Sequence, residues 1–408
     1  MSSLRSFVVG VYVARSLGAA DFGMFSLAWV TFGVVLNISR GLATDPLVVR
    51  FSGVATETWR AAVARMTGTA VTVGVVFGAL SVLIGLVLGD LGGAFVALGI
   101  VMPALLLQDA WRFAFFASGD GRKAFTNDLV WCAALAPAVV VAVQLPSVAA
   151  FVLAWGLSCG VAAVHGCVQA KVLPRPSEMR AWLGAQRDLA ARYLVENVSL
   201  SGAGQIRMYG LGAIAGLADV GAVRGAELLL GPFFALLMGL GLVAVPEAAR
   251  VLQRAPRKLP VFCALLGGGQ AVAALIWGLA LLFLLPDSIG HELLGEVWPA
   301  AFALVLPAML GFMNTSVATG AAAGLRALGA ARRSLAAQLV GSTAYVVLGV
   351  GGAVLDGARG SAWGCAVATL IGATMTWVQL RAGLRDHLAN QPLPQAAPED
   401  VTAAQPLP

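Results

Sequence analysis

The stretch Ala14-Arg15-Ser16-Leu17-Gly18-Ala19-Ala20-Asp21-Phe22-Gly23-Met24-Phe25-Ser26-Leu27-Ala28 joins two apolar runs through a few small and polar residues. Gly18 and Gly23 permit the positive-φ conformations a tight reversal needs, and Asp21 offers its carboxylate to the turn backbone. The spacing predicts two antiparallel apolar helices joined by a short hairpin. The pattern returns at Ala215-Gly216-Leu217-Ala218-Asp219-Val220-Gly221, with Gly, Asp and Gly at the same spacing. A self-similar signal at that separation predicts a chain built as two related halves.

Composition sets the solvent. Of the 408 residues 59% are hydrophobic and only 11% charged, and the mean hydropathy is +0.86. Soluble domains carry about 25% charged residues, and a water-soluble core of this length cannot hide so much apolar surface. Repeated apolar runs near ~20 residues match the bilayer. Every backbone N–H and C=O in lipid must be paired, and runs that are continuous rather than alternating predict helices and exclude a barrel.

Twelve spans are read, at about 4–17, 22–38, 66–88, 94–116, 125–145, 148–170, 193–215, 222–245, 261–285, 300–320, 335–355 and 362–380. This alternation puts 22 of the 26 basic residues on one side, leaves only Arg15 and Arg359 on the other, and sets Arg207 and Arg224 inside spans. That bias predicts both termini in the cytoplasm. The connection 171–192 divides the chain six spans from six, so both halves insert with one orientation, related by an axis along the membrane normal. The expected organisation is an N-terminal six-helix lobe at 1–170, a cytoplasmic connection at 171–192, a C-terminal six-helix lobe at 193–388, and a disordered tail at 389–408 rich in Pro, Ala and Gln. The first span is short, roughly 21 Å against a hydrocarbon core of ~30 Å.

The run Ala14-Arg15-Ser16-Leu17-Gly18, with Phe22-Gly23-Met24-Phe25-Ser26-Leu27-Ala28, resembles the opening signature of bacterial polysaccharide-export flippases. These are the Wzx-like proteins of the multidrug/oligosaccharidyl-lipid/polysaccharide exporter superfamily. Gly210-Leu211-Gly212-Ala213-Ile214-Ala215-Gly216, Val220-Gly221-Ala222, Ala226, Gly231-Pro232 and Pro246-Glu247-Ala248-Ala249-Arg250 are similar to the start of that family's second half. The resemblance implies a V-shaped pair of six-helix lobes around a cavity that opens alternately to each side of a bacterial plasma membrane. It implies a lipid-linked oligosaccharide as substrate, membrane lipids as surroundings, and a monomer working with glycosyltransferases and a polymerase or ligase. The chain departs from the family in its short first span and in lacking the two further helices of fourteen-span relatives.

Charges inside spans are the natural site candidates, since each costs at least ~2.5 kcal/mol near a helix centre unless paired or hydrated. Arg207 and Glu227 lie at similar depths on either side of the second hairpin, so neighbouring helices can pair them. They are read either as a structural ion pair or as a cavity grip in which the Arg207 guanidinium binds phosphate bidentately. Arg224, one turn from Glu227, is read as snorkelling to the interface or joining that grip, and Arg15 as a helix anchor or a draw for anionic headgroups. Arg40 with Asp45, and Asp109 with Arg112, have the spacing of local pairs near the inner ends of spans. They are read as solvated helix ends or as contacts of a cytoplasmic gate. Small-xxx-small spacings such as Gly74/Gly78 and Gly320/Gly324 predict close helix packing, and Pro232 a bend.

Catalytic readings fare poorly. The sequence has no GxxxxGK[ST] or HExxH motif, and Cys132, Cys159, Cys167, Cys263 and Cys365 stand singly in apolar runs. The expectation is a transporter rather than an enzyme, with no cofactor, no metal and no nucleic-acid partner. Two alternatives stay open. A cation-coupled drug antiporter needs a titratable carboxylate deep in the cavity, which the first span lacks. A membrane-embedded glycan-transferring enzyme has only Asp287, His291, Glu292 and Glu296 between Pro286 and Pro299 to draw on.

Overall fold

A computed structural model describes the backbone of residues 2–389 except Pro146, with side chains described outside 2–6, 90–91, 196, 199–200 and 234–243. The tail from residue 390 onward and the side chain of Arg5 therefore lie outside the described residues. Every described element is helical. The order is α1 (Ser2–Ser16), α2 (Ala19–Ser39) running through a π turn at Arg40–Thr44 into α3 (Asp45–Phe51), α4 (Thr56–Val87), α5 (Gly93–Ala117), α6 (Gly121–Gln144) and α7 (Val148–Ala170). It continues with α8 (Met179–Ala215), α9 (Leu217–Arg254), α10 (Leu259–Phe283), the short α11 (Asp287–Leu294) and α12 (Trp298–Phe302), α13 (Val305–Ala327) and α14 (Ala331–Ala389). Among the described residues eight helical stretches are long and apolar enough to cross a membrane, the α2–α3 rod being one of them. The chain is an all-α, multi-pass membrane protein.

The helix ends follow local rules. Asp120 accepts from the Lys123 backbone N–H at 3.3 Å to start α6, and Ser147 from that of Ala150 at 3.2 Å to start α7. Each supplies one of the bonds that the first helical turn lacks. The run called α14 is two antiparallel helices, because Asp356 (φ −152°) and Gly357 (φ +49°) leave helical geometry and reverse the chain. Only glycine takes that second conformation without strain.

Between helices in lipid there is no hydrophobic drive, and close packing through small residues supplies the attraction. A Cβ on Gly78 would lie 2.5 Å from the carbonyl oxygen of Gly99, one on Gly320 2.3 Å from that of Cys263, and one on Gly352 2.1 Å from that of Gly360. Thus α4 with α5, α10 with α13, and the two arms of α14 each cross backbone to backbone. Parallel contacts recur as well. In the first half Gly156 meets Val101 and Gly166 meets Trp111, which sets α7 alongside α5; in the second Gly311 meets Thr369 and Gly324 meets Leu380, which sets the second arm of α14 alongside α13.

The two Gly-Asp-Gly hairpins meet each other. A Cβ on Gly23 would lie 1.8 Å from the Leu217 carbonyl oxygen, and one on Gly221 2.4 Å from that of Ala19. The signature that repeats in sequence is therefore a point where the halves touch. Near it the short α1 is covered by the segment after α10. Gly295, at φ +55°, approaches the Arg15 carbonyl oxygen, and Trp298 donates to Asp287 at 3.2 Å to hold α11 and α12 together.

Candidate functional site

The site is built on the second hairpin. α8 ends because Gly216 adopts φ +94° and ψ 177°, a region open to glycine alone. The reversal sends α9 back along α8 and sets Arg207 beside Glu227. The Arg207 Nη2 donates to Glu227 Oε1 at 2.8 Å, and the Arg224 Nη1 donates to Glu227 Oε2 at 3.1 Å. One carboxylate thus bridges two guanidiniums. The Arg207 side chain is 4% exposed and that of Glu227 29%. The ion pair of the first reading exists, and it faces a cavity.

That cavity measures about 610 Å³ and is lined by Arg207, Arg224 and Glu227 together with Tyr345, Cys365, Thr315 and Thr369. The Arg207 guanidinium carbon stands 5.4 Å from the centre of the Tyr345 ring, within cation–π range. Among the described residues of the first half, only Phe7 and Trp29 reach the lining. Trp29 is fixed there by stacking on Trp155 at 4.7 Å. Among these described residues the polar side chains come from the second half and the facing wall is aromatic. Tyr345, Thr315, Thr369 and Cys365 were not singled out from the sequence as site residues. The signal was a lone tyrosine and threonines inside apolar spans, which tertiary packing alone distinguishes from lipid-facing positions.

The other candidates lie elsewhere. Arg15 does not line the cavity; it is exposed and stands 3.8 Å from Glu292 on α11. Arg40 sits in the π turn and grips Asp109 of α5 with two bonds, at 2.9 and 2.7 Å, beneath the Phe113 ring. Its partner is across a helix interface rather than four or five residues along. Arg112 reaches Asp128 of α6 at 3.5 Å, and Gln108 donates to Asp128 at 3.1 Å and to Asn127 at 3.2 Å. Asp109 and Asp128 are buried, so these are interhelical ties within the first half, and solvated helix ends do not describe them.

Asp45 accepts from Asn197 of α8 at 2.7 Å. Asn37 donates to Ser201 at 2.9 Å, and Thr31 shares a 2.6 Å bond with Tyr209. These rungs join α2 and α3 to α8 along the half of the interface remote from the hairpins. The connection 171–192 is no loose loop, since α8 already begins at Met179 and its first turns are tied to the first half. Trp182, 2% exposed, donates to the Leu42 carbonyl at 3.1 Å, an oxygen of the π turn. Arg50 donates to Ala185, Gln186 and Asp188, and Glu178 binds both Arg65 and Arg175. The Arg65 hydrogen bond, with Arg175 second, holds the Glu178 carboxyl below the usual carboxylate range. Among the described residues no group of three or more His, Cys, Asp or Glu is placed to hold a metal ion.

No family model matches the chain, and no curated protein matches it in sequence. Solved structures do. An inward-facing multidrug-resistance MATE family transporter of the MOP superfamily superposes with TM-score 0.65 at 14% identity, covering 96% of each chain. The lipid II flippase MurJ in an inward closed conformation superposes with TM-score 0.67 at 11% identity, over 95% of this chain and 89% of that one. A MOP superfamily transporter from Pyrococcus furiosus gives TM-score 0.53 at 15% identity, over 94% and 93%. At such identities the likeness is one of fold. The chain has the fold of the MOP superfamily transporters, the superfamily that its two hairpin signatures resemble.

Proposed function

We propose that the chain is a transporter, not an enzyme, that carries an anionic lipid-linked saccharide precursor across a bacterial plasma membrane by alternating access. Two six-helix lobes, 1–170 and 193–388, would rock about their shared interface, in twelve crossings with both termini cytoplasmic. The observation that carries this reading is the charge of the cavity: two guanidiniums, Arg207 and Arg224, face one carboxylate, Glu227. The surplus is cationic, which suits a phosphate or pyrophosphate headgroup. The lipid tail would stay in the bilayer while the head crosses.

The name of one structural neighbour, a lipid II flippase, supports a lipid-linked substrate. Membrane lipids surround the chain; glycosyltransferases would supply its cargo and a polymerase or ligase consume it. A cation-coupled drug antiporter is favoured by the MATE neighbours, but it needs a free acid in the cavity, and Glu227 is clamped from both sides.

Deleting the gene separates these readings. The expected result is accumulation of a lipid-linked glycan on the inner leaflet. Drug sensitivity without that accumulation would support the antiporter. Loss of a glycan linkage with normal flipping would support an enzyme.

A further inference from the structure

Glu227 occupies the place where the anion of a ligand belongs. Its two oxygens each take one N–H from a different arginine, Arg207 on α8 and Arg224 on α9. A guanidinium has five such donors, so most of the donors in this pair are not spent on Glu227. The Arg207 Nε is buried and has no hydrogen-bond partner. The Arg207 Nη2 also reaches the weakly accepting sulfur of Met208, at 3.4 Å.

Among the described residues lining the cavity, no other permanent charge stands beside Glu227. α14 presents Tyr345 and Cys365, α13 presents Thr315, and the first half presents Phe7 and Trp29. Among the residues lining the cavity, a phosphate oxygen that seeks a cation must go to Arg207 or Arg224, and must meet Glu227 there.

We propose that Glu227 is a built-in placeholder for the anionic headgroup, displaced from both guanidiniums when a phosphate ester or diphosphate binds and neutralised by one proton as it leaves. The proposal deepens, and rests on, the reading of this cavity as a headgroup site. In the step, the two N–H···O contacts to Glu227 are exchanged for N–H···O contacts to phosphate oxygens. The freed carboxylate accepts a proton supplied by the buffered solvent and becomes a neutral carboxylic acid; no covalent bond of the ligand changes.

The physical reason is the dielectric. With the cations engaged by phosphate, an ionised carboxylate beside it in a largely apolar cavity faces both desolvation and like charge, and both favour the protonated form. Headgroup binding and proton uptake are then linked. The sign follows: a complex that holds one more proton than the free protein is favoured by acid, so affinity strengthens as pH falls.

The test uses the purified full-length protein in detergent, titrated with farnesyl diphosphate as the probe by calorimetry near pH 7 in two buffers of different ionisation enthalpy. The probe exchanges protons of its own, so the reading is a difference between variants. The wild type is expected to take up about one proton more per probe bound than Glu227→Gln, and its affinity to gain up to about tenfold per pH unit of acidification relative to that variant. Glu227→Asp keeps the uptake.

Infrared difference spectra of the wild type alone provide a measurement that needs no variant, and a protonated-carboxyl band is expected to appear on binding. Equal proton counts in wild type and Glu227→Gln, or no such band, overturn the proposal and leave the headgroup reading standing. A folded wild type that fails to bind the probe overturns the headgroup reading itself.

Discussion

Arg207 shows what a buried charge demands of its surroundings. Burying one ion without a partner costs several kcal/mol, and removing one member of a buried pair strands the other. Arg207→Ala is therefore expected to destabilise the protein by about 3–5 kcal/mol, read as thermal unfolding in detergent. Glu227→Ala leaves two cations facing each other and is expected to be costly as well. The double variant should lose less than the sum of the singles, because the shared contact is then lost once rather than twice and only the more exposed Arg224 is left without Glu227; strict additivity would mean that the 2.8 Å contact contributes nothing. Part of this residue-scale picture was legible in the sequence. Arg207 and Glu227 share one hairpin, and counting residues from its turn put them at one depth. The partners of Arg40 and Arg112 were not legible, because Asp109 and Asp128 lie on other helices and only the crossing of α2, α5 and α6 brings them near. Spacing along one helix suggested Asp45 for Arg40; the bidentate bond to Asp109 prevails because its geometry matches the guanidinium fork.

Among the elements, small residues decide which helices touch. Gly320 crosses the backbone of Cys263, and Gly268 has nothing within reach of a Cβ. Gly320→Ala is thus expected to destabilise the α10–α13 pair. Gly268→Ala is expected to be neutral or to gain up to ~1 kcal/mol from helix propensity. Equal effects in unfolding assays would mean that the crossing is not backbone-close. The small-xxx-small pattern announced close packing but could not rank the glycines, since it cannot say which face of a helix meets a neighbour. That 171–192 is docked as a strap was not legible in the sequence, because its ties are single side chains such as Trp182 and Arg50. Trp182→Ala should cost about 3–5 kcal/mol. Acid should loosen the strap too. The Glu178 carboxyl is held low by Arg65 and Arg175, so its contribution is present above the unfolded carboxyl value of about 4.3 and is lost as pH falls through the lower folded value. Cleavage of a folded sample after Arg180 or Arg187, by a protease active in acid, should quicken below that point in the wild type and be quick at every pH in Glu178→Gln.

For the whole molecule, the two hairpins place a constraint on motion. α2 touches α9 at Gly23 and Gly221 with no side chain between the backbones, while farther along it meets α8 through polar rungs at Thr31, Asn37 and Asp45. The cavity, with Arg207 on α8 and Trp29 on α2 in its lining, is thus flanked by two contacts between the halves, one at the hairpins and one toward the far end of α2. A carrier that exposes this cavity to each side in turn must break one contact while keeping the other. The glycine contact is short-ranged and all-or-none, whereas hydrogen-bonded rungs can exchange partners with water. A disulfide across the far contact, from Asn37→Cys with Ser201→Cys, is expected to form under mild oxidation, since the native side chains are bonded at 2.9 Å. It should abolish export reversibly, with activity restored by reductant, and leave folding intact. Bulk at the hairpin contact, as in Gly23→Val, should instead favour the state in which the hairpins have parted, and should lower the yield of that disulfide if the two contacts alternate. A disulfide that forms fully in Gly23→Val and leaves export unaffected would mean that the halves do not rock about this interface, and the alternating-access reading would fall with it.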